Sequence, residues 1–286
     1  MSQSKLNPLS MYKKERRTLR SELEKAFRVV YGSGDILTTH GKQVYCSNLF
    51  MKLCQTSLSL LSLCPDPDDK DFQFSRIDLS STAALSRVVM DTFVAWFHFG
   101  FEECSEDEFR TRQLLLFWRD FRVRAKVFAP FENGGVDEYS DFHSADLKMR
   151  LGENEFWMSL PEKTRDHLLR KNNTLHSPDE VLTRAGFDAE ECRAIYAYFS
   201  AHTHCDSVAF MRVGENDRGQ GFSNDADLSG LVWCLGTSTP FLSFATKKTN
   251  EFFKDALSRA NKVKGFNPFD IRIPPRPWAG ISFDDL

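Results

Sequence analysis

The stretch LSRVVMDTFVAWFHFGFEE, residues 85–103, decides the fold that the sequence predicts. Large apolar side chains occupy most of its positions, with neither a proline nor a sustained alternation of apolar and polar residues. We therefore expect a helix that starts near Asp78 or Ser80, runs to about Glu103 and is buried on most sides.

Four ionisable residues interrupt this apolar stretch at spacings of four, seven and four: Arg87, Asp91, His98 and Glu102. At about 100° per residue they fall within a stripe roughly 60° wide on one helix face. Arg87 and Asp91 are placed to pair at i, i+4. Because buried charges must be paired, the stripe is either an internal ion-pair network or the lining of a ligand or catalytic site.

Outward from this stretch, the sequence predicts an all-α multi-helix bundle. Helical periodicity recurs on both sides, and the 26 Phe beside only 15 Gly and 11 Pro favour packed helices over short strands. We expect a disordered N-terminus over 1–10, one helical domain over 11–264 and an irregular, extended Pro-rich tail over 265–286. The other predicted helices cover about 11–30, 43–64, 105–128, 161–171, 177–186, 189–212 and 225–264, with loops at 65–71 and 130–141.

A second polar stripe lies on the helix predicted after Asp188. Tyr196, Ser200 and His204 share one face of it at spacings of four. Helices of a bundle bury their stripes against one another, so we expect this stripe to meet the one that contains Arg87 and Asp91. Such a centre could bind an anion or another polar ligand, or carry out acid–base chemistry. A polar seam that fixes helix register is the alternative interpretation.

Metal chemistry is not predicted. The string His202-Thr-His204-Cys-Asp206 resembles the start of the metallo-β-lactamase motif, but residues 202 and 204 point about 200° apart on a helix and cannot share a metal ion. We expect neither a metal site nor a cofactor.

A ribonuclease is the alternative function that the sequence suggests. Arg170 is followed six residues later by His176, a spacing found in the HEPN superfamily of helical ribonucleases. A His can act there as general acid or base, and an Arg can stabilise the charge of the phosphorane. A solvated helix end with cations near its dipole is the competing interpretation.

Charge and cysteine content limit the cellular setting. The net charge of −3 gives no general affinity for nucleic acid, although RNA could contact a basic face on the helix over 105–128. Seven Cys, none in a C-x-x-C pair, and an N-terminus without an apolar signal segment predict a soluble, cytoplasmic protein. No membrane span is expected. The basic face comprises Arg112, Arg119, Arg122 and Lys126.

The pattern Arg87-x-x-x-Asp91, followed downstream by Tyr196-x-x-Phe199-Ser200-x-x-x-His204, resembles an uncharacterised bacterial helical family that is catalogued as a domain of unknown function. In that family an R-x-x-x-E helix is paired with a later Y-x-x-L-S-x-x-x-H helix, so Asp91 and Phe199 depart from its pattern. The resemblance covers about 75–210. It implies a helical fold with a polar centre, and no activity.

Three functional hypotheses follow. The first is a bundle that binds a polar ligand or a partner through its two facing stripes, in a defence or stress system. The second is a metal-independent, HEPN-like ribonuclease that uses either Arg87 with His204 or Arg170 with His176. The third is a structural interaction protein whose tail docks on another molecule.

Overall fold

The computed structural model describes residues 7–34, 41–128, 135–171, 174–204, 206–211, 215, 218–219, 222–254, 256–262, 267 and 269. Every regular element within these ranges is helical, which confirms the predicted all-α bundle. Of the predicted tail, only Asn267 and Phe269 are described, and of the predicted disordered N-terminus only residues 7–10.

The helices are numbered along the chain. They are α1 (Pro8–Ser33), α2 (Gly41–Leu63), α3 (Leu79–Trp96), α4 (Glu106–Phe128), α5 (Gly135–Gly152), α6 (Glu155–Ser159), α7 (Glu162–Lys171), α8 (Pro178–Arg184), α9 (Ala189–Thr203), α10 (Ser207–Phe210), α11 (Asp225–Phe252) and α12 (Ala256–Asn261), with a 3₁₀ turn at Phe72–Phe74.

The chain forms two compact units. Unit 1 comprises residues 1–101 and 185–286, and unit 2 comprises residues 102–184, which are inserted between the two segments of unit 1. Unit 1 therefore contains α1–α3 and α9–α12, and unit 2 contains α4–α8. The expectation of one helical domain over 11–264 did not anticipate this division.

Helix α1 begins at Pro8, three residues before the predicted start at Met11. The Asn7 side chain accepts a hydrogen bond from the Leu9 amide at 2.9 Å, and Pro8 occupies the first helical position. Both features favour a helix start. The local capping chemistry thus makes residues 8–10 helical where disorder was expected.

Unit 1 has an aromatic core centred on α3. The fully buried ring of Phe93 lies 4.8 Å from Phe241 of α11 and 5.2 Å from Phe187, measured between ring centroids. Trp96, one turn further along α3, is also fully buried. The expectation that α3 is buried on most sides agrees with this packing, and the abundance of Phe in the sequence has its explanation here.

Helix α3 does not continue regularly to Glu103. Residues Phe97–Phe101 form a π-helical turn, and residue 102 is no longer helical. Within this turn Gly100 packs directly on α2, because a Cβ atom at that position would lie 2.6 Å from the Cα of Cys46. The wider π turn changes the angular position of the residues that follow it.

Unit 2 has its own apolar core, formed by α4–α7. Helix α5 starts at Gly135, inside the segment that was predicted as a loop over 130–141. The hydrogen bond from the Trp118 indole N–H to the Leu169 carbonyl, at 3.1 Å, connects α4 with α7. The buried residues of this core are Leu114, Leu115, Trp118, Leu147, Leu151, Trp157 and Leu168.

Helix α11 is long and apolar enough to cross a membrane, judged by length and composition alone. Its most apolar 18-residue window has a mean hydropathy of 1.2, and 56% of that window is buried inside the protein. A buried core helix of a soluble protein has the same properties. The length and composition of helix α11 are therefore evidence neither for nor against association with a membrane.

Candidate functional site

The two polar stripes predicted in unit 1 meet at Arg87 and His204. Arg87 lies in the third turn of α3, whose start is capped by Asp78, and His204 is the residue that ends α9. One terminal nitrogen of the Arg87 guanidinium, Nη1, lies 3.1 Å from Nε2 of His204. The structure thus brings together two side chains that are 117 positions apart in the sequence.

Tyr196 and Asp91 complete this cluster. The Arg87 guanidinium lies over the Tyr196 ring, 4.8 Å from its centroid, in cation–π geometry. Asp91 Oδ2 is 3.9 Å from Arg87 Nε, at the i, i+4 spacing that the sequence predicted. The Tyr196 side chain also acts on the Asp91 carboxyl, where it favours the ionised form and lowers the pKa. We call Arg87, Asp91, Tyr196 and His204 the unit 1 patch.

Asp91 keeps 55% of its side-chain surface exposed, and partial burial by its neighbours is still the largest influence on its carboxyl. This burial raises the pKa of this carboxyl above its ordinary value, although Arg87, Tyr196 and Lys52 act in the opposite direction. Two cations, Arg87 and Lys52, thus act on the single carboxylate of Asp91. A patch with this balance attracts anions.

The contact between Arg87 and His204 defines the state of the imidazole. A guanidinium donates hydrogen bonds and cannot accept them, so Nε2 of His204 is the acceptor. His204 is then neutral, with its proton on Nδ1. Its side chain is exposed at the end of α9, and Arg87 keeps 24% of its side-chain surface exposed. The patch is therefore open to solvent.

Ser200 was expected in the same cluster, but its hydroxyl serves its own helix. The Oγ of Ser200 donates to the backbone carbonyl of Tyr196 at 2.7 Å. Such i to i−4 bonds are common for serine inside helices. Ser200 therefore lies on the predicted face of α9, while its polar atom is engaged with the backbone.

The predicted stripe of four ionisable residues on one helix is wrong at its second half. His98 lies in the π turn over residues 97–101 and is only 3% exposed, with its ring 4.8 Å from Phe99, whereas Arg87 and Asp91 keep part of their surface exposed. Glu102 lies beyond the helix, in unit 2. The uniform 100° step that the prediction assumed ends at Trp96.

Unit 2 contains a second polar cluster that the sequence did not predict. Its five side chains are joined by consecutive ion pairs and hydrogen bonds into a closed circuit, which we call the ion-pair ring: Glu102, Glu108, Arg112, His176 and Arg184. Arg112 is 1% exposed and Glu102 is 8% exposed, so two of the five members of the ring are sealed from water.

Arg112 is therefore not part of an RNA-binding face, which corrects that expectation. Its guanidinium donates to Glu102 at 2.7 Å and, through Nε at 3.2 Å, to Glu108. The other members of the predicted basic face, Arg119, Arg122 and Lys126, are exposed. The early position of Arg112, one turn after Glu108 near the start of α4, was the available clue, because Glu–Arg pairs at i, i+4 attract each other.

A capping box forms only in part at the start of α4. Ser105 Oγ accepts a hydrogen bond from the Glu108 amide at 3.1 Å. The Glu108 carboxylate instead accepts from Arg112 and His176. Burial alone would raise the pKa of Glu108, but hydrogen bonds from these two residues outweigh burial and lower it.

Arg170 and His176, the second predicted ribonuclease pair, have different partners. Arg170 donates to Asp166 of its own helix at 2.9 Å and is largely exposed. His176 lies between Glu108, at 3.1 Å from Nε2, and Arg184, at 3.2 Å from Nδ1. The arginine beside His176 is therefore Arg184, eight residues after it in the sequence.

The His, Cys, Asp and Glu side chains of the described residues are dispersed with respect to metal binding. No group of three that could hold a metal ion occurs in the part of the chain that the structure describes. His202 and His204 have different environments, since His202 is 7% exposed and His204 lies at the surface. Burial, together with the nearby Arg218, lowers the pKa of His202.

Comparison with known proteins adds no assignment to this geometry. No family model matches the chain, and no curated protein and no solved structure matches it either. The resemblance to a bacterial helical family of unknown function remains a prediction that rests on Arg87, Asp91, Tyr196, Ser200 and His204.

Proposed function

We propose that this chain is a ligand-binding module whose unit 1 patch binds a small anion through Arg87 and His204. One observation carries this proposal: the Arg87 guanidinium is fixed by Tyr196, Asp91 and His204 while part of it stays exposed to solvent. An arginine that is already held in place loses little conformational entropy when it binds, which favours affinity.

The ligand chemistry that fits is a carboxylate or a phosphate. The planar guanidinium offers parallel N–H donors, which match the paired oxygens of these groups. An anion that accepts hydrogen bonds from Arg87 can replace the His204 imidazole as the acceptor. His204, once protonated, can then donate a second hydrogen bond to the same anion. Lys52, which acts on the charge of Asp91, contributes a further cation.

The test is a titration of the full-length protein with inorganic phosphate and, separately, with acetate. Binding is followed through the imidazole NMR signals of His204, assigned with the His204→Gln variant. We expect saturable shifts with at least one of the two anions, and loss of saturation in Arg87→Gln. Phosphate and acetate distinguish phosphoryl from carboxylate recognition.

The matched control is Arg76→Gln, which removes an exposed arginine of the same unit. It should leave the titration unchanged. Shifts that persist undiminished in Arg87→Gln, or that fall equally in both variants, would show that the protein responds to ionic strength and not to an anion held at the patch.

Metal-independent RNA cleavage is a second candidate, favoured by the 3.1 Å contact between Arg87 and His204. A histidine beside an arginine can combine proton transfer with stabilisation of phosphorane charge. Wild-type protein incubated with single-stranded RNA and a metal chelator should then cleave it, and His204→Ala should not. Intact RNA with the wild type would eliminate this candidate without affecting the anion-binding proposal.

A further inference from the structure

The ion-pair ring connects the two ends of unit 2. Glu102 is the first residue of the unit and Arg184 is the last, and Arg184 Nη1 donates to Glu102 Oε1 at 2.9 Å. Arg112 joins Glu102 to Glu108 from inside the unit. His176 closes the circuit between Glu108 and Arg184.

The geometry fixes the protonation state of His176. Arg184 Nη2, which can only donate, lies 3.2 Å from Nδ1, so Nδ1 must be an acceptor. The proton of the ring is then on Nε2, where it is donated to the Glu108 carboxylate at 3.1 Å. The closed ring therefore requires a neutral imidazole with one defined tautomer.

Protonation of His176 would break one connection and keep the other. A proton on Nδ1 places two donors face to face at the contact with Arg184, while Nε2–H continues to donate to Glu108. The carboxylates of Glu108 and of Glu180, which lies in the first turn of α8, would both stabilise an imidazolium. Arg112 and Arg184 are the cations that oppose it.

Arg184 is the member of the ring that can leave. Its side chain is 41% exposed, whereas Arg112 is 1% exposed and held by two carboxylates. The turning of Arg184 toward water also breaks its ion pair with the buried Glu102, which keeps Arg112 as its second cation. Arg184 ends α8, so its departure removes a side-chain tether from the C-terminal end of that helix.

We propose that the ion-pair ring is a proton-sensitive latch, in which protonation of His176 releases Arg184 and loosens α8 within unit 2. Histidine is the side chain whose unperturbed charge change falls between about pH 5 and 8, so this is the pH range over which the latch is to be tested. It is closed at the upper end of that range and open at the lower end.

The experiment is amide hydrogen exchange of the full-length protein across this pH range, corrected for the intrinsic dependence of exchange on pH. We expect the protection of amides 181–184 to fall about ten-fold from the neutral to the protonated state of His176, as for loss of one hydrogen bond to a charged group. Amides in the middle of α4 should keep their protection.

His176→Gln is the decisive variant. A glutamine side chain has one acceptor and one donor, so it can replace both connections of the neutral imidazole but cannot take up the proton. Protection of α8 should then be independent of pH. His167→Gln, which changes an exposed histidine of α7 in the same unit, should behave as the wild type.

A second measurement does not depend on the variant folding. Imidazole ¹⁵N signals of the wild type should show His176 as the Nε2–H tautomer at the alkaline end of the range. The Nδ1–H tautomer there, or α8 protection in the wild type that does not change with pH, would overturn the proposal. So would a pH response retained in a folded His176→Gln protein.

Discussion

The two arginine–histidine pairs of this chain have nearly the same separation but opposite surroundings. Arg87 and His204 are 3.1 Å apart at the surface of unit 1, and Arg184 and His176 are 3.2 Å apart in unit 2. His204 lies exposed at a helix end, whereas the second ring nitrogen of His176 donates a hydrogen bond to Glu108. The same contact can therefore serve an open binding patch or a closed internal circuit.

The difference lies in the carboxylates. Unit 1 places one exposed aspartate beside Arg87, and a second cation, Lys52, also acts on this aspartate. Unit 2 places Glu102 and Glu108 around the buried Arg112, with Arg184 on the outer side of Glu102. A pair with spare positive charge can attract a ligand, while a balanced network mainly holds a structure together.

The largest effect should come from Arg112→Met. Removing the buried guanidinium leaves Glu102 and Glu108 without their shared cation, and breaking a buried ion pair in this way costs about 3–5 kcal/mol. Urea denaturation should show this loss in the unfolding of unit 2. Arg119→Met, an exposed position of the same helix, should change stability by less than about 0.5 kcal/mol.

The second largest effect should be a loss in the free energy of unfolding when acid weakens the ion-pair ring. The pKa of Glu108 is lowered in the folded protein, so its contribution to the free energy of unfolding is present above the pKa of the unfolded chain and is lost as pH falls through the folded value. Denaturation at a series of pH values below 6 should show this loss. In Glu108→Gln the remaining slope should be shallower. An equal slope in both proteins would assign the acid sensitivity to other groups.

A smaller effect concerns ligand affinity at the unit 1 patch. Asp91→Asn removes the carboxylate beside Arg87, and a charge interaction of about 1 kcal/mol at this distance in water corresponds to roughly a five-fold gain in anion affinity. Since burial raises the pKa of Asp91, the wild type should gain affinity as pH falls and Asp91 takes up its proton. Phosphate titrations of both proteins at several pH values measure this, and weaker binding by Asp91→Asn would contradict it.

The smallest effect should be that of Arg87→Met on stability. Its partners are partly exposed, and exposed ion pairs contribute about 0–1 kcal/mol. A loss of several kcal/mol in urea denaturation would mean that the unit 1 patch is a structural seam, like the ion-pair ring, and would remove the contrast between the two pairs.

The unit 1 patch could be predicted because its residues are marked by their spacing within single helices. Arg87, Asp91, Tyr196 and His204 each interrupt an apolar helical pattern at a regular spacing, and two such helices in one bundle tend to bury those faces together. The prediction from regular spacing was wrong for His98, which lies in the π turn. No local pattern in the sequence indicated that turn.

The ion-pair ring could not be predicted in the same way. Its contacts join Glu102 to Arg184 over 82 positions and Glu108 to His176 over 68. Only Glu108 and Arg112 are close enough in sequence for their pairing to be inferred, and Arg112 resembles the exposed arginines that follow it on α4. The burial that distinguishes it depends on the packing of unit 2 as a whole.

The bond between Glu102 and Arg184 also bears on how such a chain can arise. A segment whose first and last side chains are in contact can be inserted into a host protein, or removed from it, at one place in the sequence, here between residues 101 and 185. Since the 83 residues of unit 2 have a core of their own, their deletion should leave the core of unit 1 complete.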